Sequence, residues 1–170
     1  MTPALLIQRE GFTLRPVRVE ELDAVLEVYR QCEDFLALGP VATASMQMVL
    51  ADLDLSREEG GVYCGIYSPT GDMLGVFDFV LAGFEGDPQA AFLSLLMIAS
   101  PFRGRGLGQA VVEAVEEEIR RDPRITVIHS GVQVNNPQGI HFWQRRGYRI
   151  VSAPKLLPDQ TTVYDLRKDL

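Results

Sequence analysis

PFRGRGLGQAVVEAVEEEI, Pro101 to Ile119, is the stretch on which the reading of the chain turns. From Leu107 onward it is helical by pattern. Leu107, Ala110, Val111, Ala114, Val115 and Ile119 share one face, while Gln109, Glu113, Glu116, Glu117, Arg120 and Arg121 share the other. Asp122-Pro123 ends the helix. Three glycines therefore stand at its entrance, and the first turn falls on Arg105 to Gln109. The first N–H groups of a helix have no internal partner, and the macrodipole adds about half a positive charge there. Such an entrance holds a phosphate when nothing bulky blocks the approach. Gly104, Gly106 and Gly108 clear it, and Arg103 and Arg105 supply charged donors. A tight turn that merely packs well would use the same letters.

Two phosphate-binding loops are excluded by spacing. A Walker-type loop ends in Lys followed by Ser or Thr, a pair absent here, and a dinucleotide fingerprint begun at Gly104 would place its third glycine at Gln109. Before the loop, AAFLSLLMIA (Ala90 to Ala99) is apolar almost without a break, as in a strand covered on both faces. Upstream lie two further strands, Val62 to Tyr67 and Met73 to Leu81, joined by the turn SPTGD. FTLRPV (Phe12 to Val17) forms a first strand, and EELDAVLEVYRQCEDFLALG a long helix stopped at Gly39. TASMQMVLADLDL forms a weaker helix with Thr43 as its N-cap. Downstream come a strand at Ile125 to Val134, a short helix at Pro137 to Arg146 closed by Gly147, and strands at Tyr148 to Val151 and Thr161 to Leu166. The order predicts a mixed α/β domain with a mostly antiparallel sheet and one βαβ crossover near its middle.

Composition narrows the function. With 170 residues and 46% hydrophobic content the chain supports one core, so 1–170 is read as one domain. A net charge of −7 speaks against nucleic acid, where a basic face supplies most of the affinity. No apolar run is long enough to span a membrane, and MTPALLIQREGF lacks the layout of a secretion signal. Cys32 and Cys64 lack CxxC spacing and read as buried thiols of a reducing, cytoplasmic compartment. No metal-ligand spacing is present.

LLMIASPFRGRGLG resembles the acetyl-CoA motif of the GNAT superfamily of N-acetyltransferases: Arg or Gln, two residues, Gly, one residue, Gly or Ala. Arg103, Gly106 and Gly108 match it. NNPQGIHFWQRRGY (Asn135 to Tyr148) is similar to the family's second motif. The element order agrees over nearly the whole chain. The resemblance implies about seven strands flanked by about four helices, with a central strand pair splayed apart, and acetyl transfer from acetyl-CoA to a primary amine of a small molecule or peptide in a ternary complex. It also suggests a homodimer. A catalytically weak acyl-CoA-binding module of the same fold is the alternative.

By that resemblance the pyrophosphate lies on the N–H groups of Arg105, Gly106, Leu107, Gly108 and Gln109, beside Arg103; Gly104 belongs to the same cofactor-binding loop and eases its turn. The strand edge at Leu96, Met97 and Ile98 pairs with the pantetheine arm, and the Ile98 N–H serves as oxyanion donor. Asn136 caps the next helix and contacts CoA; Trp143 packs over the core or the arm. Trp143 occupies the position where the family commonly has an acidic tyrosine, so no general acid is expected, and Tyr148 is structural. For the base the candidate is Asp78, an oddly placed charge in GVFDFVL, although strand alternation equally allows it to face solvent. Glu33 and Asp34 stand where a cationic acceptor would be drawn in, or are plain surface. His129 and His141 read as structural or exposed.

Overall fold

The structure, a computed structural model, describes residues 4–170; Met1 to Pro3 of the stretch read for a leader lie outside the described residues. The elements in chain order are β1 (Ile7–Arg9), β2 (Phe12–Pro16), α1 (Leu22–Arg30), α2 (Glu33–Leu36), α3 (Met46–Glu58), β3 (Val62–Tyr67), β4 (Met73–Val80), β5 (Ala90–Ile98), α4 (Leu107–Arg120), β6 (Val127–Gln133), α5 (Pro137–Arg145), β7 (Arg149–Ile150), β8 (Lys155–Leu156) and β9 (Thr162–Asp169). All strands join one sheet in the order β1-β2-β3-β4-β5-β6-β9-β7, with β8 also on β9. Every pairing is antiparallel except β5 with β6, the pair linked by α4. This is the mixed sheet with a central crossover that the element order predicts.

Three layers follow from which face each element can bury. Val111, Val112, Val115 and Ile119 of α4 and Trp143 of α5 pack on one side of the sheet, against Phe77, Phe79, Leu93, Ile128 and Leu166. Val25, Val28 and Tyr29 of α1 and Val49 of α3 pack on the other, against Tyr63, Val76 and Met97. Cys32 and Cys64 are both buried free thiols.

The structure differs from the sequence reading at three places. Two strands beyond the seven expected, β1 and β8, are edge pieces of three and two residues, too short to show a period. The long first helix is two, broken at Gln31 and Cys32; the Cys32 thiol turns inward to the Ile98 carbonyl at 3.3 Å. The cap of α3 is Ser45, not Thr43, and its Oγ accepts the Met48 N–H at 3.2 Å.

The feature that positions everything functional is the fork between β5 and β6. Their parallel ladder runs from Ala90↔Val127 to Leu93↔Ser130 and stops, although both strands continue. At the fork the Ser130 hydroxyl donates to the Leu93 carbonyl at 2.8 Å, taking the acceptor that a next rung would use. On the opposite edge β5 carries a bulge. Phe79 faces Leu93 and Asp78 faces Leu95, leaving Ser94 as the extra residue, exposed at the fork.

Candidate functional site

Beyond the fork the sheet opens into a cleft of about 1350 Å³ that runs from the start of α4 across β5 to α3. Gly106 is the N-cap of α4, and both Gly104 and Gly106 adopt left-handed backbone, with φ 77° and 79°. An L side chain at either would strain the turn, so these glycines set its shape. Among the described residues no acceptor bonds the N–H groups from Gly104 to Gln109; the first helical bond is Ala110 N–H to Gly106 O, at 3.1 Å. These donors have no partner among the described residues. Gly108 has a second duty, since a Cβ there would lie 3.4 Å from the Phe142 ring of α5.

The two arginines of the motif differ. Arg103 is held by protein: its Nε donates to the Ile98 carbonyl at 2.8 Å, and its Nη1 and Nη2 clasp Asp34 at 2.6 and 3.1 Å. It fastens α2 to the end of β5, and it holds the Asp34 carboxyl below its usual range. Arg105 is exposed and lies outside the cleft wall. Sequence reasoning missed Arg145, the last residue of α5, and Arg146, its C-cap, which line the cleft, Arg146 over the Phe142 ring.

Along β5 the alternation of an antiparallel ladder decides which groups face the opening. Ala99 N–H donates to Leu74 O, so Met97, two residues earlier, also bonds toward β4, opposite Val76. Leu96 and Ile98 consequently turn their backbone groups toward the cleft. The Ile98 carbonyl already accepts from Arg103 and from Cys32. Met97 is thus removed from the expected edge set, while its side chain is buried core.

Asp78 does not face solvent. It is 6% exposed, covered by α3, and Ser56 Oγ donates to its Oδ1 at 2.6 Å; among the described residues no second side chain bonds the carboxylate, the Phe79 backbone N–H also favours its charged form, and the residue lines the cleft. Burial, then Glu59 and Asp52 nearby, pushes its pKa up to about 6 against the pull of Ser56. The fit is tight, because a Cβ at Gly61 would stand 2.6 Å from Ser56 Oγ and 3.0 Å from Asp78 Oδ1. Tyr29 donates to Asp52 of α3 at 2.7 Å and shares a 2.6 Å bond with Tyr63.

On the far wall Asn136 caps α5, its Oδ1 accepting Gly139 N–H at 2.9 Å, with Pro137 at the first helical position. Asn135 reaches across to the Leu38 carbonyl at 3.1 Å. Trp143 is 9% exposed, edge-on to Phe142 and Tyr148, each at 5.1 Å. Tyr148 is buried with its hydroxyl donating to Glu116 at 2.8 Å, and Lys168 Nζ meets the same oxygen at 2.8 Å. Burial first, then Glu116, raises the Tyr148 pKa, so it is a structural ring. No tyrosine is among the described residues lining the cleft. Of the two histidines, His129 lies on β6 beside Phe84 and His141 is exposed on α5; neither reaches the cleft. Glu33 accepts the Ala44 N–H at 2.7 Å and fixes the loop before α3. Among the described residues no three His, Cys, Asp or Glu side chains are grouped as metal ligands.

The profile of the acetyltransferase (GNAT) family matches residues 22–148. No curated protein matches the chain in sequence. Among solved structures, an acetyltransferase from Thermus thermophilus superposes with a TM-score of 0.77 at 21% identity, over 98% of this chain and 100% of the other. A spermidine N-acetyltransferase from Vibrio cholerae, in complex with CoA and spermine, gives 0.70 at 11% identity, over 95% and 96%. The PaiA N-acetyltransferase from Thermoplasma acidophilum, in complex with coenzyme A, gives 0.66 at 14% identity, over 94% and 99%. These likenesses establish a shared fold.

Proposed function

Because the chain belongs to the GNAT acetyltransferase family, we propose that it moves an acetyl group from acetyl-CoA to a primary amine, directly, in a ternary complex. The observation carrying this is the run of unused N–H groups from Gly104 to Gln109, set at one end of the open β5 edge, with buried Asp78 opposite the bulge further along it. The pyrophosphate lies on the N–H run, with Arg145 and Arg146 at hand for phosphate charge. The pantetheine arm adds to β5 as a peptide adds to a sheet edge. Ile98, next to the phosphate cradle and with its carbonyl engaged, pairs with the arm; the oxyanion donor becomes the Leu96 N–H, which lies two residues nearer the bulge and Asp78. The Asn136 side chain acts through its cap, and Trp143 backs the arm. That two CoA-bound proteins share the fold supports the donor, and the spermine complex supports an amine acceptor.

The chemistry follows from the groups present. The amine nitrogen attacks the thioester carbonyl carbon, and the Leu96 N–H receives the developing oxyanion. As the N–C bond forms the nitrogen turns acidic, and Asp78 Oδ2 accepts its proton; with a pKa of about 6 the carboxylate is ionised at neutral pH. The C–S bond then breaks. A thiol of pKa about 8.5 leaves as thiolate and takes its proton from water, so no acid is needed at Trp143. The chain, residues 1–170, works as one cytoplasmic domain in this reading.

The experiment is paired. Acetyl-CoA raises the melting temperature where ATP and NAD do not, and thiol release follows on adding an amine. A melting temperature indifferent to acetyl-CoA overturns the proposal. Stabilisation without thiol release from any amine would instead establish the binding-only module.

A further inference from the structure

The chain is poor in reactive amines. Of its 16 lysines and arginines only Lys155 and Lys168 are lysines. A guanidinium stays protonated in water and does not attack a thioester, so these two carry the nucleophilic side-chain amines. Lys168 is turned away from the cleft. It alternates with Tyr164 and Leu166 on the face of β9 that packs toward α4 and α5. Its Nζ donates to Glu116 at 2.8 Å and to the Arg146 carbonyl at 2.7 Å, and the side chain is 19% exposed.

Lys155 is placed the other way round. Val163 and Asp165 turn to the opposite face of β9, and both line the cleft. The short strand β8 sets Lys155 across from Val163, and Lys155 lines the cleft too. Its Nζ donates to Asp165 Oδ1 and Oδ2 at 3.3 and 3.2 Å, and its side chain is 53% exposed. An exposed pair of this length holds its cation weakly. The strand beneath is slight as well, since β8 has two rungs on β9 and its Leu156 is 63% exposed.

The sheet register puts this amine in the row of Leu96, the oxyanion donor of the reading above. The β5–β6 ladder ends at Leu93↔Ser130, so by count Leu96 and Gln133 come three residues further along the two prongs of the fork. Gln133 is paired with Val163, and Val163 with Lys155. Leu96, Gln133, Val163 and Lys155 thus run in one line across the sheet, and all four line the cleft. Two strand spacings, about 10 Å, separate Lys155 from Gln133. The nucleophilic side chain that the chain keeps exposed therefore stands on the floor of its own cleft.

Resting on the acetyltransferase reading above, we infer that Lys155 is a self-acetylation site: with no acceptor bound, its amine takes the acetyl group from the acetyl-CoA held by the same chain. Lys155 leaves Asp165, and its four-carbon stem together with a swing of β8 carries the nitrogen along the floor to the fork. The ammonium loses one proton to solvent, and the neutral nitrogen attacks the thioester carbonyl carbon. As the N–C bond forms and the C–S bond breaks, the nitrogen gives a second proton to Asp78, as an external amine would, and water protonates the thiolate. The products are free CoA and an uncharged acetamide at Lys155, which leaves Asp165 unpaired.

The test is intact-mass and peptide spectrometry of the wild type incubated with acetyl-CoA and no added amine, beside its melting temperature with acetyl-CoA. A gain of about 42 Da is expected on Lys155, about tenfold or more faster than on Lys168. Its rate saturates with acetyl-CoA and is slowed by excess free CoA. It stays constant over about a tenfold range of protein concentration, as for a reaction within one chain. Asp78→Asn slows the gain. Lys155→Arg abolishes it while keeping a cation for Asp165 and the melting shift with acetyl-CoA. A melting shift with no adduct on Lys155 overturns the inference and leaves the donor site standing. So does an adduct that grows in proportion to acetyl-CoA, on both lysines alike and unslowed by free CoA, since that is plain chemical acetylation. A rate proportional to protein concentration overturns transfer within one chain. A melting temperature that acetyl-CoA leaves unmoved removes the reading beneath and this site with it.

Discussion

Asp78→Asn separates the physics of the site from its chemistry in one substitution. Asn keeps the shape and an acceptor for Ser56 but cannot ionise. In the wild type, burial lifts the carboxyl from 3.8 to about 6, which at 1.36 kcal/mol per pH unit is about 3 kcal/mol. The sign follows from the direction. A carboxyl raised on folding favours the folded state through its proton, fully below the unfolded value, and this stabilisation is lost as pH rises through about 6. Urea unfolding at pH 4.5 and at pH 8 samples about 2 of those 3 kcal/mol. The wild type is therefore expected to lose about 2 kcal/mol relative to the variant between those pH values, whatever fixed offset the amide introduces. In thiol release, kcat of the variant falls about 100-fold, and the rise in rate centred near pH 6 vanishes. Parallel stability curves would show Asp78 to be an ordinary carboxylate. A variant that keeps both its rate and its rise near pH 6 would place the base elsewhere.

Three further outcomes are expected. Gly106→Ala meets no steric obstacle but must hold φ 79°, so stability falls about 1 kcal/mol and the melting shift with acetyl-CoA shrinks; an unchanged shift argues against the N–H run as the phosphate seat. Lys168→Met leaves Glu116 charged and buried beside Tyr148 and loses about 3 kcal/mol in urea unfolding, most of it restored by adding Glu116→Gln; a loss under 1 kcal/mol refutes the buried pair. Trp143→Tyr leaves turnover equal or higher, since the tryptophan supplies packing against Phe142 and Tyr148; collapse of turnover in a folded variant would reveal a chemical role for the indole.

What the sequence could reveal tracks how local each determinant is. The β5–α4 unit was readable because an unbroken apolar strand, three glycines and a full amphipathic helix all lie within thirty consecutive residues, 90–119. Strand β8 has two residues and depends on β9 to exist at all. Alternation placed Asp78 on a definite face but could not name what covers that face, because α3 arrives from elsewhere in the chain. The same helix looked weakly amphipathic for a reason now visible: Val49 faces the core while Met48, Asp52, Leu55 and Glu59 face the cleft, so two stripes compete in one pattern. The spacing of Asp52, Ser56 and Glu59 at four and then three residues was the available signal. The Ser94 bulge and the pairing of Arg103 with Asp34 left no trace in local pattern.

The Ser130–Leu93 bond has a consequence for solubility. A strand edge with bare backbone groups is ordinarily a liability, since a second chain can zip onto it. At the fork two such edges exist in mid-sheet, one on β5 and one on β6. Yet they diverge from a sealed apex and face each other across a wedge inside the sheet, away from its outer edges. A β-strand from another molecule would need room for side chains on both of its faces. A slender, unbranched arm needs none. The geometry thus keeps these bare backbone groups in mid-sheet, not on an outer edge where chain-to-chain pairing begins.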